Sequence, residues 1–128
     1  MAVPSQLARV RTIALALANV EEGTTFGFPA FKVGGKTFAW FPKKNEVEPE
    51  SLGVRMSFVE RDHRVAINPN VFYVTPHYTD YPSVLVRVWL MKDAELRELL
   101  ESGYEFMRGP VRKPRASAKK QGKKRKRS

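Results

Sequence analysis

Lysine and arginine side chains are concentrated at the C-terminal end of the chain, where residues 108–128 hold eleven of them and no acidic residue. Such a run attracts polyanions, because each bound phosphate releases condensed counterions. It lacks amphipathic periodicity, which argues against insertion into a membrane. A solubilising tail without a partner and a nuclear localisation signal are the alternatives. The side chains predicted to contact nucleic-acid phosphates are Arg112, Lys113, Arg115, Lys119, Lys120, Lys123, Lys124, Arg125, Lys126 and Arg127.

The charge divides the chain into two parts. The whole chain carries a net charge of +10, whereas residues 1–107 contain 12 basic and 13 acidic residues and have a net charge of −1. After Val111 the tail has no large apolar residue, and it contains Pro114 and Gly122. It cannot bury enough surface to offset a backbone entropy cost of roughly 1–2 kcal/mol per residue. The sequence therefore predicts one folded domain over residues 1–107 and a disordered basic tail over residues 108–128.

A second candidate for phosphate binding is the segment Ala30 to Thr37, which matches a relaxed form of the phosphate-binding loop motif. In such a loop Lys36 would contact the phosphates and Thr37 would bind magnesium. That chemistry needs a helix directly after the loop, so that its N-terminus faces the phosphate. Residues 38–42 have the composition of a strand instead. We therefore interpret Gly34-Gly35 as a two-residue hairpin turn, in which both residues need a positive φ.

The chain has two histidines and no cysteine, so the side chains that most often catalyse reactions or bind metals are scarce. His77 lies in a loop close to Asp80 and Ser83, but no nucleophile elbow or oxyanion hole accompanies them. We expect this loop to pack on the sheet, with a nucleic-acid or ligand contact by His77 as the alternative. His63 is expected to be a half-buried helix residue. The sequence predicts no catalytic residue, no metal and no cofactor, and hence a protein that is not an enzyme.

Hydrophobic periodicity predicts an α+β fold in the order α-β-β-β-α-β-β-α, with a mainly antiparallel sheet. Phe38, Met56, Val86 and Leu99 are predicted to be buried. Arg55 lies on the opposite face of its strand from the apolar side chains. The predicted helices cover residues 6–19, 59–67 and 93–107, and Val59, His63 and Ala66 lie on one face of the second, short helix. The predicted strands cover residues 31–33, 36–41, 52–58, 71–75 and 83–90, and the last of these strands is expected to be central.

Six aromatic residues lie between positions 26 and 41. Aromatic side chains on an exposed sheet face can stack on nucleic-acid bases. A core between sheet and helices is the more common arrangement, and we favour it here. If one of the six does stack on a base, Trp40 or Phe41 at the end of its strand is the best candidate. The six aromatic residues are Phe26, Phe28, Phe31, Phe38, Trp40 and Phe41.

Two segments resemble the signatures of the MmcQ/YjbR family. Residues 23–39, GTTFGFPAFKVGGKTFA, resemble the first signature, and residues 71–78, VFYVTPHY, with the following 81–87, resemble the second. The resemblance covers about residues 5–107 and leaves out the tail. Phe28 stands where the family often has histidine, and Ala18-Asn19 stands where Leu-Pro is common.

The resemblance implies a small α+β domain of a topology compared with frataxin-like and secretion-chaperone-like folds, and it implies a DNA-binding protein. Together with the tail, it predicts a monomeric, non-enzymatic nucleic-acid-binding protein, with DNA favoured over RNA and little sequence preference. We expect a cytoplasmic bacterial protein associated with the nucleoid, without membrane contact. The alternative is a protein-interaction or chaperone-like module with an incidental solubilising tail. Secondary nucleic-acid contacts are predicted from Lys32, Lys36, His77 and Arg87, with Arg55 as a further modest contact.

Overall fold

The computed structural model describes residues 6–25, 27–43 and 47–108. The predicted tail contacts from Arg112 to Arg127, the predicted disorder beyond Arg108 and the aromatic residue Phe26 lie outside these residues. Arg108, predicted as the first residue of the tail, is instead the last residue of a helix. No helix in the described ranges is long and apolar enough to cross a membrane. The elements are α1 (Leu7–Leu15), β1 (Val20–Thr25), β2 (Phe28–Val33), β3 (Lys36–Trp40), β4 (Leu52–Arg55), α2 (Phe58–Ile67), β5 (Phe72–Tyr73), β6 (Ser83–Val86) and α3 (Asp93–Arg108), with 3₁₀ turns at Pro76–Tyr78 and Val88–Leu90.

The strands form one six-stranded antiparallel sheet in the order β1-β2-β3-β4-β6-β5, which confirms the α+β class. The strand β1, at one edge, was not predicted, because its sequence Val-Glu-Glu-Gly-Thr-Thr has little apolar character. It pairs along its full length with β2, from Val20 opposite Val33 to Thr25 opposite Phe28. Pro29 does not interrupt β2. It lies next to the strand start, where prolines are tolerated, and its carbonyl accepts a hydrogen bond from the Phe41 N–H at 3.0 Å.

The turn between β2 and β3 is the predicted two-residue hairpin. Gly34 and Gly35 have φ values of 59° and 80°, a conformation that side chains with a Cβ adopt reluctantly. Because strand β3 follows the turn directly, no helix N-terminus faces Lys36 and the phosphate-loop alternative is excluded.

A β-bulge in β3 determines which side chains reach each face of the sheet. Phe31 lies opposite Ala39, but Lys32 lies opposite Thr37, so Phe38 is one extra residue in the ladder. As a result Phe38 and Ala39 both belong to the core beneath the helices. Thr37 and Trp40 lie on the other face, where they line a cleft.

The main core lies between one face of the sheet and the helices α1 and α3. Phe38, Met56, Val86 and Leu99 are fully buried in it, as predicted. Tyr104 of α3 donates a hydrogen bond to the Ala18 carbonyl at 2.7 Å and so fixes the end of α3 against the chain that follows α1. A smaller cluster on the other face of the sheet contains Ala30, Trp40, Tyr78 and Leu85.

Two predicted details are wrong, the buried face of α2 and the position of β6 in the sheet. Helix α2 does not bury the Val59–His63–Ala66 face, because Val59 is 81% exposed and His63 is also exposed. The buried residue of α2 is Arg61, whose guanidinium donates to the carbonyls of Thr79 and Tyr81. Strand β6 ends at Val86 and lies next to the edge strand β5 rather than at the centre. All four of its residues are buried because side chains cover both of its faces.

Candidate functional site

The four secondary contacts predicted for the folded body do not form one site. Lys32 and Lys36 lie near the β2–β3 hairpin, Lys36 exposed and Lys32 half-buried. His77 is exposed in the 3₁₀ turn after β5, and Arg87 follows β6. Only His77 of these four lines the cleft on the face opposite the helices.

Arg87 is occupied by contacts within the protein. Its guanidinium donates to both carboxylate oxygens of Glu48, at 2.8 and 2.5 Å, and to the carbonyls of Pro69 and Asn70. Its cation also lies 4.3 Å from the centre of the Tyr73 ring. These contacts join the segment before β4 to the turn before β5. Contact between Arg87 and a phosphate would therefore compete with this bridge.

The Glu48–Arg87 pair leads to a prediction about pH. Hydrogen bonds from Arg87 hold the pKa of Glu48 below its ordinary value of 4.5. A carboxylate with a lower pKa in the folded chain contributes stability above its unfolded pKa, and this contribution disappears as the pH falls through the folded pKa. We expect Glu48→Gln to lower the free energy of unfolding by up to about 1 kcal/mol at neutral pH, because solvent screens an exposed pair. The difference from the parent chain should vanish under acidic conditions, as urea unfolding at a series of pH values would measure.

Glu21 provides the control for this measurement. It is an exposed glutamate of β1 that has no ion pair within the described residues. Glu21→Gln should leave the free energy of unfolding unchanged at both pH extremes. If the two variants respond alike, the Glu48–Arg87 bridge contributes nothing measurable.

The face of the sheet opposite α1 and α3 carries an open cleft of about 410 Å³. Strands β1, β3 and β4 form its floor, and the chain around the 3₁₀ turn Pro76–Tyr78 forms one wall. The volume lies at the lower end of the range for sites that bind small molecules. The lining residues are Thr25, Thr37, Trp40, Phe41, Pro42, Lys43, Arg55, His77, Tyr78 and Tyr81.

Trp40 lies in the floor of the cleft and is only 7% exposed, and Phe41 is also buried, so neither is the exposed stacking residue that the sequence suggested. The neighbouring strand leaves room for the indole at Gly53. A Cβ there would lie 2.6 Å from two ring atoms of Trp40, closer than real Cβ contacts. Glycine at this position therefore allows the indole to lie flat between strands β3 and β4.

Arg55 lies over this indole, with its guanidinium carbon 5.1 Å from the ring centre. Its Nε atom is buried and has no hydrogen-bond partner among the residues that the structure describes. Burial lowers the pKa of Arg55 from its ordinary value, and the nearby Tyr78 and Tyr81 oppose that shift. The guanidinium nevertheless stays protonated at neutral pH, because arginine side chains are not deprotonated in proteins. The cleft thus holds a partly desolvated cation.

The absence of a counter-ion distinguishes Arg55 from the other arginines of residues 6–108. Seven of the eight arginines in this part of the chain form an ion pair with a carboxylate, and Arg55 forms none with a described residue. The seven pairs are Arg9–Asp93, Arg11–Glu22, Arg61–Asp62, Arg64–Glu60, Arg87–Glu48, Arg97–Glu101 and Arg108–Glu105.

The wall of the cleft is aromatic. The ring centres of His77 and Tyr78 are 4.7 Å apart with nearly perpendicular planes, and those of Tyr78 and Tyr81 are 6.3 Å apart. Tyr78 is buried, whereas Tyr81 is 49% exposed and offers part of its ring to the solvent. Lys43 adds a second, exposed cation. The described lining residues therefore combine two cations, aromatic rings and hydroxyl groups, and none of them is a carboxylate.

Comparison with known proteins identifies the chain at the level of the family. The sequence profile of the YjbR family matches residues 15–106. The chain belongs to the YjbR family. No curated protein sequence and no solved structure shows a significant match to it.

In this YjbR-family chain, both segments that carry the family resemblance border the cleft. Residues 23–39 contribute Thr25 and Thr37, and residues 71–87 contribute the three aromatic wall residues. Phe28, at the position where the family often has histidine, is half-buried in β2 and does not belong to the described lining. The position at which the family often has histidine therefore lies outside the described lining of the cleft.

Sequence analysis found part of this site. The alternation of residues 52–58 placed Arg55 on the face away from the apolar side chains, and that placement is confirmed. The alternation does not single out Arg55 from the other cations, because Arg9, Arg11 and Arg87 find their carboxylates only in other parts of the fold. Lys43 lies between β3 and β4, and no local signal in the sequence connects it to Arg55.

Proposed function

We propose that this YjbR-family protein is a non-enzymatic, monomeric nucleic-acid-binding protein, with DNA favoured over RNA. The basic tail supplies most of the affinity through phosphate contacts and has little preference for sequence. The observation that carries the proposal is the separation of charge, with eleven basic and no acidic residues in residues 108–128 and a net charge of −1 in residues 1–107.

The ion pairs of the folded body support the assignment of most of the affinity to the tail. Six arginines of the body, residues 1–107, are paired with carboxylates, so their charges are largely compensated before a polyanion approaches. The body keeps the exposed Lys36 and the half-buried Lys32 near its hairpin as secondary contacts. These few charges would contribute more to the orientation of a bound duplex than to the affinity for it.

A full-length variant with the ten tail cations from Arg112 to Arg127 replaced by glutamine tests the proposal. We expect its affinity for a short DNA duplex at about 50 mM salt to fall roughly 100-fold or more, because most phosphate contacts are lost. Fluorescence anisotropy of a labelled duplex measures the change. The thermal midpoint should stay within a few degrees of the parent value, since the substitutions remove no burial from the domain.

A second full-length variant, with the order of residues 109–128 scrambled, is the matched control. It keeps the composition and charge of the tail and should keep the affinity, because contacts with phosphates do not depend on the order of the cations. If scrambling abolishes binding, the tail is a specific motif instead of an electrostatic one. If the parent chain does not bind below about 100 μM at low salt, the nucleic-acid proposal is wrong and the interaction module replaces it.

A further inference from the structure

The cleft around Arg55 holds the one arginine of residues 6–25, 27–43 and 47–108 that forms no ion pair with a described carboxylate. A desolvated guanidinium without a carboxylate partner is unfavourable unless something else neutralises it. Its position over the Trp40 indole provides a cation–π contact, which compensates only part of this cost. Among the described residues the buried Nε atom has no acceptor either. An anionic ligand in the cleft, which Arg55 lines, would supply the missing counter-ion.

The charges of the lining indicate the valence of that ligand. Arg55 and Lys43 both line the cleft, and none of the described lining residues is acidic. Two other cavities of the described chain, by contrast, are lined by two or more glutamates, among them Glu60 and Glu98. A phosphate monoester carries a charge of roughly −1.5 to −2 at neutral pH and has three acceptor oxygens. It therefore matches two cations and the nearby hydroxyl groups better than a carboxylate does.

The aromatic wall indicates the rest of the ligand. The partly exposed Tyr81 and the exposed His77 line the cavity beside the buried Tyr78, so aromatic side chains lie next to the cations. Planar ring systems stack on aromatic side chains. The volume of about 410 Å³ suits a small molecule with one ring system and one phosphate group.

We propose that the Arg55 cleft binds a phosphate monoester that carries a flat ring, with the nucleoside monophosphate as the representative of this class. Arg55 contacts the phosphate, Lys43 adds the second charge, and Tyr81 stacks on the ring. The same chemical group occurs in a free nucleotide and at the 5′-phosphorylated end of a nucleic-acid strand. This site uses no residue of the tail, and so the proposal is independent of the proposed function.

The test uses the full-length chain with Trp89→Phe, because the chain has two tryptophans and this change leaves Trp40 as the single fluorescent reporter beneath Arg55. Adenosine monophosphate, adenosine and inorganic phosphate are titrated separately. We expect a saturable change in Trp40 fluorescence with adenosine monophosphate, and binding at least about tenfold weaker for adenosine and for inorganic phosphate, since each lacks one half of the recognised group.

Arg55→Met removes the charge and keeps an unbranched apolar stem over the indole. It should weaken the binding of adenosine monophosphate at least about tenfold. Arg97→Met, the matched control, removes one arginine from an exposed position on α3 and should leave binding unchanged. If Arg55→Met does not fold, Lys43→Met provides the same test at an exposed position, with an expected loss in the same direction. Equal effects of the Arg55 and Arg97 variants, or no saturable response up to millimolar nucleotide, would overturn the proposal.

Two single-stranded oligonucleotides, one with and one without a 5′-phosphate, distinguish the sources of the ligand. Binding through the cleft to a strand end requires that the phosphate raise the affinity and that Arg55→Met abolish this increase. If the 5′-phosphate has no effect while adenosine monophosphate binds, the ligand is a free nucleotide. Neutralising the tail should lower the affinity for both oligonucleotides and leave adenosine monophosphate binding intact, so the two proposals can fail separately.

Discussion

Replacing Leu99 with alanine should lower the free energy of unfolding by about 2–5 kcal/mol. Leu99 is fully buried in α3, within the core that joins this helix to the sheet. Truncation removes apolar contacts and leaves a cavity, because the backbone of a helix packed against a sheet can relax only in part. Urea unfolding followed by circular dichroism measures the loss, which would be a large fraction of the stability of a domain of this size.

The adjacent residue Glu98 is the control for this measurement. It lies on the exposed side of the same helix, so Glu98→Ala should change the free energy of unfolding by no more than about 0.5 kcal/mol. A loss below about 1 kcal/mol for Leu99→Ala would show that α3 does not cover the sheet in solution. The architecture described above would then be wrong in its main helix–sheet contact.

The parts of the fold that follow from local patterns could be predicted from the sequence. The hairpin at Gly34-Gly35 and the core residues Phe38 and Leu99 are of this kind, because turn geometry and periodicity depend on neighbouring residues. Strand β1 could not be predicted, since its place in the sheet comes from pairing with β2 and not from its own polar sequence. The buried side of α2 was missed because Arg61 is held by carbonyls that lie far along the chain.

The cleft shows the same limit at the level of the site. Strict alternation along β3 would place Trp40 on the same face as Phe38, and the bulge places them on opposite faces. Whether Arg55 has an ion pair with a described residue depends on where the carboxylates of the fold lie. Neither the bulge nor the missing ion pair can be predicted from a motif of a few residues. The basic tail, in contrast, is evident from the sequence because its proposed action requires only charge.

The tail also determines how binding should depend on salt, which is the largest effect expected for this protein. On duplex DNA each neutralised phosphate contributes a slope of roughly −0.9 to log K against log salt concentration. Eleven cationic side chains lie in residues 108–128, and a flexible segment engages only some of them at once. We therefore expect a slope equivalent to about four to eight phosphate contacts for the full-length protein. Affinity would then fall by roughly 10²–10⁴ between about 50 and 200 mM salt.

Anisotropy titrations over a range of salt concentrations show which part of the chain produces this slope. They compare the parent chain, a chain with a glutamine-substituted tail and a peptide of the tail alone. The full-length chain with a glutamine-substituted tail should keep a slope of about one or two contacts at most, because its body has a net charge of −1. A peptide of residues 108–128 should recover much of the full slope, with no preference among duplex sequences, since phosphates carry no base information. If the substituted chain keeps the parent slope and affinity, the binding surface lies on the folded body. Lys32, Lys36, His77 and Arg87 would then be the first residues to replace, and release of Arg87 from Glu48 would become part of the binding reaction.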